Sequence, residues 1–434
     1  MLRLPLALLS ALLLAPVLAR ADWRSDADAR IEHLRKGDFS VAVVDSADRP
    51  ITGARVSYHL KRHAFLFGMA IASPPFADTG PDGQAYRQYI LDHFSGLVCE
   101  NEMKWYDNEA EQGQVDYSRS DALLAFAEAN GLQMRGHNIL WAKKKYAMPW
   151  MQTLSDAGLR AAVDRRIEGI VGRYRGRVVS WDVDNEMLDG SYFRDRLGEQ
   201  IVPYVFEETH RLDPKPLLFV NEYGIIGSAE KTERMIALIK KLQAEGAPVS
   251  GIGIQAHDTA RFVAQAHDLG PMDRPEIALN TPLTPEIFLH TMDRLYQATG
   301  LPIHITEISA KTPNAADRGE ALATLFRLGF SHPGVQALVL WGFGAKTHWM
   351  GPQAALMDAD NTVNAAGKRV GGLLSVEWTT RGTTTTDNSG AAAWRGFYGV
   401  YTVEVALPDG QTFTREVSLT AAGKSAAVHL PPGA

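Results

Sequence analysis

Short apolar runs alternate with amphipathic stretches over most of the chain from residue 65 onward. The amphipathic stretches carry apolar residues at helical spacing; in 158–176, for example, Leu159, Val163 and Ile167 fall on one face. The apolar runs of strand length lie at 65–71, 94–101, 133–141, 178–186, 216–224, 251–257, 302–309 and 337–343. Eight such strand–helix units predict an α/β fold whose parallel strands close into a (β/α)₈ TIM barrel. A doubly wound open sheet is the alternative, but no Gly-x-Gly-x-x-Gly motif follows any run.

The segments that flank the predicted barrel follow a different pattern. Two runs, FSVAVVD (39–45) and ARVSYHL (54–60), have strand character, and the Pro- and Gly-bearing turn between them predicts a β-hairpin. Near residue 379 the composition shifts to Thr, Gly and Asn, and alternating strands follow. The predicted divisions are an N-terminal β segment (22–63), the barrel (64–378) and a C-terminal β module (379–434).

The first 21 residues have the pattern of a secretory signal peptide. Arg3 precedes a leucine-rich stretch that is too short to span a bilayer, and a small-x-small site ends at Ala21. We therefore expect cleavage before Asp22 and a secreted protein, extracellular or periplasmic. The chain has a formal net charge of −6, which argues against nucleic acid or an anionic membrane as a partner.

Few residues suggest a metal or a covalent crosslink. Cys99 is the only cysteine, so no intrachain disulfide is possible, and the His-Glu-x-x-His zinc motif is absent. No P-loop and no Gly-x-Ser-x-Gly elbow occurs either. We expect no metal and no cofactor. The lysine run at 143–145 favours a solvated rim over a phosphate site, although it could touch an acidic sugar branch.

In a barrel of this kind the active site lies at the carboxyl ends of the strands. Nearly every predicted strand ends in polar or aromatic residues. A face that only stabilised the fold would carry apolar and small residues instead. Among these residues are Asn101, Lys104, His137, Trp141, Asn185, Tyr223, Gln255, His257 and Trp341. Glu186 and Glu307 end the fourth and seventh strands. Glycoside hydrolysis needs two such carboxylic acids, and a separation of about 5 to 5.5 Å gives retention of configuration.

Two further acids, Asp182 and Asp184, crowd the strand that leads to Glu186. Because alternate strand residues share a face, we expect both to point the same way as Glu186 and to support it. A metal cluster is the alternative, but no histidine neighbours these acids in the sequence.

Several motifs of the predicted barrel resemble glycoside hydrolase family 10, the retaining endo-β-1,4-xylanases. They are ENEMKW (100–105), RGHNILW (135–141), WDVDNEM (181–187), GIGIQAH (251–257), PIHITE (302–307) and LWGF…HW (340–349). The resemblance implies that Glu186 is the acid/base and Glu307 the nucleophile. It also implies sugar-binding positions: Asn101, Lys104, His137 and Trp141 for the glycone, Asn185 for the 2-hydroxyl, Gln255 and His257 beside the nucleophile, and Trp341 with Trp349 as an aromatic lid.

The plant-type branch of that family is similar in KYAMPW, in DNEMLDGSYFRDRLG and in the tail LLSVEWTTRGTTTTDNSG. We expect the hairpin and the C-terminal strands to pack together as a small accessory β module. The chain departs from many members at Ser309 and Ala345, where they carry aspartate. The resemblance implies hydrolysis of xylan or a related β-1,4-glycan, and we expect a monomer. The alternatives are a β-1,4-glucanase or other β-glycanase, and a carbohydrate-binding protein that has lost turnover.

Overall fold

The computed structural model describes residues 22–263 and 282–431, and the predicted signal peptide (1–21) lies outside the described residues. Its strands are β1 (Lys36–Val44), β2 (Arg55–His63), β3 (Leu66–Ile71), β4 (Gly96–Cys99), β5 (Gln133–Trp141), β6 (Ser180–Asn185), β7 (Leu217–Tyr223), β8 (Gly251–Ala256), β9 (Ile303–Ile308), β10 (Val335–Leu340), β11 (Arg381–Thr385), β12 (Ala391–Phe397), β13 (Gly399–Ala406), β14 (Thr412–Leu419) and β15 (Ser425–His429).

The helices are α1 (Trp23–Arg35), α2 (Ser73–Ala77), α3 (Pro81–His93), α4 (Trp105–Asn108), α5 (Ser118–Ala129), α6 (Pro149–Thr153), α7 (Asp156–Arg173), α8 (Tyr192–Leu197), α9 (Ile201–Leu212), α10 (Ala229–Ala244), α11 (Pro285–Thr299), α12 (Ala315–Ser331) and α13 (Ala365–Gly372). Short 3₁₀ segments lie at Lys144–Tyr146, Thr259–Phe262 and Pro352–Ala354, and a π-helical turn lies at Leu373–Glu377.

Strands β3 to β10 form a closed parallel barrel in chain order, with β10 paired to β3. Each strand coincides with one of the eight predicted runs, so the (β/α)₈ prediction is confirmed. Strands β3, β4, β6, β8 and β9 are buried along their whole length, which explains their continuous apolar character. The predicted apolar stripe of α7 is buried, and the hydroxyl of Ser155 caps this helix by accepting from the N–H of Gly158.

A register shift in β6 overturns one prediction about its acids. Asp182 pairs in register with Phe219 and Asp184 with Val220, so the two acids match consecutive residues of β7. Consecutive strand residues point to opposite faces, so Asp182 and Asp184 cannot point the same way. Asp182 faces the barrel interior, whereas burial raises the pKa of Asp184 to about 7 on the other side, where Arg194 opposes the shift.

The flanking strands form two further sheets, ordered β12–β1–β15 and β11–β2–β13–β14. The predicted hairpin is wrong, because β1 and β2 lie in different sheets. Aromatic side chains join the two sheets: Phe39 meets Tyr401 edge to face, and Tyr58 stacks on Trp394 with ring centroids 4.3 Å apart. Burying both apolar faces against each other stabilises this arrangement more than an isolated hairpin could. N- and C-terminal strands do combine in these sheets, as expected for an accessory module.

The segment before β1 is a helix, α1, where a β segment is predicted from residue 22. Asp22 caps the helix, and Ala27 and Ile31 are buried on its inner face. At its end, Arg35 donates to the backbone oxygens of Phe330 and His332, which fixes the helix against the barrel. No helix among the described residues has the length and apolar character needed to cross a membrane.

Candidate active site

The carboxyl ends of the barrel strands surround one pocket that contains both predicted catalytic glutamates. Glu186 directly follows β6 and Glu307 lies near the end of β9. The pocket is lined by Glu100, Asn101, Lys104, Tyr106, His137, Trp141, Tyr146, Asn185, Glu186, His257, Glu307, Trp341 and Trp349. Every predicted site residue except Tyr223 and Gln255 therefore lines this one pocket. The roles assigned to the predicted residues stay predictions.

Glu307 is held by two neighbouring side chains. Asn221 Nδ2 donates to Oε1 at 2.9 Å, and His257 Nε2 lies 3.1 Å from Oε2. Burial would raise the pKa of the Glu307 carboxyl. The hydrogen bond with His257 and the electrostatic interactions with His137, His257 and Lys104 outweigh burial and lower that pKa to about 2. Glu307 is therefore ionised at neutral pH, as a nucleophile must be.

Glu186 lies in a different environment. Its backbone has a φ of 62°, in the left-handed region that costs a residue with a side chain about 1–2 kcal/mol. Gln255 Nε2 donates to Oε1 at 3.1 Å, and Lys143 Nζ lies 4.0 Å from Oε2. The N–H of Glu186 donates to the backbone oxygen of Asn221 at 3.0 Å. Gln255 thus contacts the predicted acid, and its backbone pairs in register with Glu307, beside the predicted nucleophile as the resemblance implies.

Asn221 joins the two halves of the site, although it is absent from the predicted set. Its Nδ2 donates to Asn185 Oδ1 at 2.8 Å as well as to Glu307, and Thr306 Oγ1 donates to its Oδ1 at 2.6 Å. A Cβ at Gly253 would approach Asn221 Oδ1 to 2.4 Å, so glycine leaves room for this side chain. Its position at the end of β7, level with Asn185 on β6, is the signal that could have identified it.

Asp182 supports His137 and not Glu186. Its carboxylate accepts from Arg135 through both oxygens, and its Oδ2 lies 2.8 Å from His137 Nδ1. Arg135 also donates to Ser180 Oγ at 3.1 Å inside the barrel. The prediction that Asp182 supports the acid is therefore wrong. The buried pair of Arg135 and Asp182 fixes the imidazole at the pocket wall.

One wall of the pocket combines Lys104 with aromatic rings. Lys104 Nζ lies 4.8 Å from the ring centroid of Trp141 and 5.6 Å from that of Trp341. Trp141 in turn stacks on Tyr146, with centroids 3.4 Å apart. Aromatic faces suit the apolar faces of sugars, and an ammonium suits their hydroxyls.

Polar groups line the adjoining part of the pocket. Asn101 Oδ1 accepts from Lys104 Nζ at 3.3 Å and from Tyr106 OH at 2.7 Å. Burial raises the pKa of Glu100 to about 7, against the opposing charge of Lys104. Glu100, Tyr106 and Tyr146 are thus pocket residues outside the predicted set, and each lies close in sequence to a predicted one.

The tryptophans predicted to form a lid differ in exposure. Trp341 is buried and meets His137 edge to face at 5.0 Å. Trp349 is 37% exposed and packs against His257 with centroids 4.6 Å apart. Ser309, at the position where an aspartate is expected, lies with its Oγ 3.2 Å from His257 Nδ1. Ala345, the other departure, lines a neighbouring cleft together with Asp82.

Tyr223 lies behind the site. It is 2% exposed, and its hydroxyl accepts from Lys143 Nζ at 2.7 Å. That lysine in turn lies with its Nζ 4.0 Å from Glu186 Oε2. Within residues 22–263 and 282–431, no cluster of three or more His, Cys, Asp or Glu side chains could hold a metal ion.

A barrel whose strand ends present two glutamates in a pocket of aromatic rings and hydroxyl-binding groups defines a glycoside hydrolase type of site. The family model "Glycosyl hydrolase family 10" matches residues 57–370. The chain belongs to this family, which confirms the resemblance of its motifs.

Two relatives illustrate the similarity in sequence. The chain is 37% identical over 386 residues to anti-sigma-I factor RsgI6 of Acetivibrio thermocellus, covering 89% of this chain and 47% of that protein. It is 34% identical over 372 residues to endo-1,4-beta-xylanase 2 of Arabidopsis thaliana, covering 85% of this chain and 32% of that protein. The chain thus spans between about a third and a half of the length of these relatives.

Solved structures share the fold. Xylanase 10B from Thermotoga petrophila RKU-1, in complex with xylobiose, matches with a TM-score of 0.62 and 24% identity, over 72% of this chain and 94% of that chain. Native xylanase 10B from Thermotoga maritima matches with a TM-score of 0.61 and 23% identity, over 72% and 95% of the two chains.

Proposed function

We propose that this protein is a secreted endo-β-1,4-xylanase that hydrolyses internal xylosidic bonds of xylan with retention of configuration. The observation that carries the proposal is the placement of Glu307, which contacts His257 and Asn221, together with Glu186 in one pocket. The names of the Arabidopsis relative and of the Thermotoga proteins support xylan as the substrate. The signal pattern of residues 1–21 supports export.

The proposed reaction has two steps. In the first, the Glu307 carboxylate attacks the anomeric carbon while Glu186, protonated, donates its proton to the leaving oxygen and the glycosidic C–O bond breaks. In the second, Glu186 takes a proton from water, whose oxygen attacks the anomeric carbon and releases Glu307. The reaction consumes one water for each bond cleaved and requires no cofactor.

Neighbouring side chains are assigned supporting roles in this scheme. Asn221 and His257 fix the carboxylate that attacks, and Gln255 fixes the carboxyl that donates. Asn185, held by Asn221, is available to the 2-hydroxyl of the sugar, where a hydrogen bond strengthens in the transition state.

A comparison of substrates tests the proposal. The chain from Asp22 onward should prefer xylan to carboxymethylcellulose by at least about tenfold in kcat/KM, because the pocket is expected to exclude a hydroxymethyl group. NMR of early products should show β-configured sugar. The Glu307→Gln variant serves as the inactive control.

Each other result favours a stated alternative. Equal rates on the two substrates would favour a β-1,4-glucanase, and α-configured product would overturn retention. Binding of xylan without any release of reducing sugar would favour a non-catalytic protein. One relative is named as an anti-sigma factor and not as an enzyme, which makes that outcome worth measuring.

A further inference from the structure

Lys143 lies between the catalytic pocket and a second groove. It follows β5 and its side chain is 16% exposed. It lines a groove together with Lys144, Asp189 and Tyr192, and this groove is separate from the lining that contains both glutamates. No motif of the family resemblance includes Lys143, and none of the roles assigned above depends on it.

The ammonium of Lys143 is fixed in place by Tyr223. Lys143 Nζ donates to Tyr223 OH at 2.7 Å and lies 4.8 Å from the centroid of the same ring. Lys231 Nζ also lies 4.1 Å from the Tyr223 ring centroid and donates to Asp189 Oδ2 at 2.7 Å. Tyr223 therefore contacts two lysines. Because Tyr223 is buried and its hydroxyl accepts from Lys143, its side chain is suited to orient that lysine and not to stack on a sugar.

We propose that Lys143 is a positioning residue of the catalytic acid, which tunes the proton affinity of Glu186 across the 4.0 Å between its Nζ and Glu186 Oε2. This inference rests on the proposed function. When Glu186 gives its proton to the leaving oxygen it becomes a carboxylate, and a cation at this distance stabilises that product of the transfer. Replacing Lys143 with a neutral residue removes that stabilisation of the carboxylate.

Other ionisable groups also face Glu186. Glu222 approaches from β7, and burial followed by the charges of Glu186 and Asp189 raises its pKa well above the ordinary range. The remaining ionisable side chains of the pocket are Glu100, Lys104, Tyr106, His137, Tyr146, His257 and Glu307. Asp189 also responds to Lys143: against burial, its hydrogen bonds with Lys231 and Tyr223 and the charges of Lys231 and Lys143 lower its pKa. The chemical identity of all these groups is unchanged in a Lys143 variant, so the change in pH dependence reports on the loss of its ammonium.

The test compares pH profiles of kcat/KM on xylo-oligosaccharides. In Lys143→Met, the limb on the basic side should move to higher pH by about 1 unit, the size expected for two charges 4 Å apart under partial screening. In Lys143→Arg, which keeps the charge, the basic limb should move by no more than about a quarter of that shift. Tyr223→Phe, which removes the acceptor of Lys143, should shift the limb in the same direction by a smaller amount.

A matched control and a second substrate separate this role from a structural one. Lys145→Met removes an exposed lysine of the same run, and its profile should overlay that of the wild type. An aryl xylobioside whose leaving group needs no proton should show no shift in kcat/KM for Lys143→Met, because Glu186 is not used in that step. Thermal unfolding of each variant verifies that the fold is retained.

The outcomes distinguish this inference from the function it rests on. Overlapping profiles for wild type and Lys143→Met on xylo-oligosaccharides would overturn it, and so would an equal shift in Lys145→Met. A shift that appears equally with the aryl xylobioside would also overturn it. If the wild type hydrolyses neither substrate, the proposed function fails first.

Discussion

The ends of β9 and β6 carry similar side chains in different surroundings. Glu307 at the end of β9 accepts from Asn221 and contacts His257, and electrostatic interactions hold its pKa at about 2. Glu186 after β6 has a left-handed backbone, accepts from the amide of Gln255 and has Lys143 at 4.0 Å. One strand end keeps a carboxylate ionised, and the other holds a carboxyl through an amide donor with an ammonium nearby.

Burial alone does not determine the charge of a carboxyl in this pocket. Glu100 lines the same pocket as Glu307, yet burial raises its pKa to about 7, because Lys104 does not offset the lost hydration. Glu307 has that lysine and the contact with His257 in addition. The partners of each carboxyl, which come from several strands, decide its charge.

The largest expected effect comes from replacing the glutamate at either strand end. Glu307→Gln and Glu186→Gln should each lower turnover on xylan by about 10³-fold or more, because each removes a group with a proposed role in the reaction. Only Glu186→Gln should keep fast cleavage, in the first step, of substrates whose leaving group needs no proton. Activity of Glu307→Gln within tenfold of the wild type would contradict the assignment.

The next effect concerns the residue that joins the strand ends. Asn221→Ala should lower kcat by about 10²-fold, since it leaves Glu307 Oε1 and Asn185 Oδ1 without their common donor. Asn221→Asp tests the sign of the charge and should be at least as damaging, because it adds an anion beside the nucleophile. Steady-state kinetics on xylo-oligosaccharides measure both, and unchanged kcat in Asn221→Ala would show that Glu307 is positioned without it.

A smaller effect should follow from crowding the same side chain. Gly253→Ala places a methyl group 2.4 Å from Asn221 Oδ1, so the amide must move. We expect kcat to fall by about tenfold with little change in KM, because a displacement near 1 Å misplaces a catalytic group. Gly172→Ala, at a glycine whose added Cβ meets nothing within 4 Å, provides the control. Equal kinetics for both variants would contradict this account.

The smallest expected effect is a shift in pH dependence at Ser309. Its Oγ lies 3.2 Å from His257 Nδ1, and His257 Nε2 contacts Glu307. An aspartate there would favour the imidazolium, which further stabilises the Glu307 carboxylate. Because protonation inactivates Glu307, the acid limb of kcat/KM should move to lower pH in Ser309→Asp, by about half a unit.

The depressed pKa of Glu307 sets where that limb is measured. Because the pKa of Glu307 is lowered, this limb should lie on the acid side of neutrality, and the profiles should extend into acid solution with a stability control. The shift should vanish in a His257→Asn background. Superimposable profiles for wild type and Ser309→Asp would rule out the coupling.

The barrel and most of its pocket could be predicted because their signals are local. Buried parallel strands are continuous apolar runs, and the rule that active sites lie at strand ends locates the residues that follow them. Ten of the twelve predicted site residues line one pocket for that reason. Gln255 and Tyr223 are not on its lining. Gln255 contacts the side chain of Glu186, and Tyr223 contacts that of Lys143.

The failures concern pairing and register, which depend on distant parts of the chain. Alternation predicted one direction for Asp182 and Asp184, but the register shift against β7 separates them. The turn after β1 resembles a hairpin turn, yet β2 pairs with β11 and β13, more than 300 residues away along the chain. Asn221 was missed because its role depends on contacts with Asn185 and Glu307 across strands.

Covalent trapping tests the central claim most directly. A 2-deoxy-2-fluoro xylobioside with an activated leaving group slows the second step, so the glycosyl–enzyme intermediate should accumulate. Peptide mass spectrometry of the inactivated protein should place the added sugar on Glu307, in the peptide that contains β9. A label on Glu186, or turnover without any labelled intermediate, would contradict the assignment of the ionised carboxylate at β9 as the nucleophile.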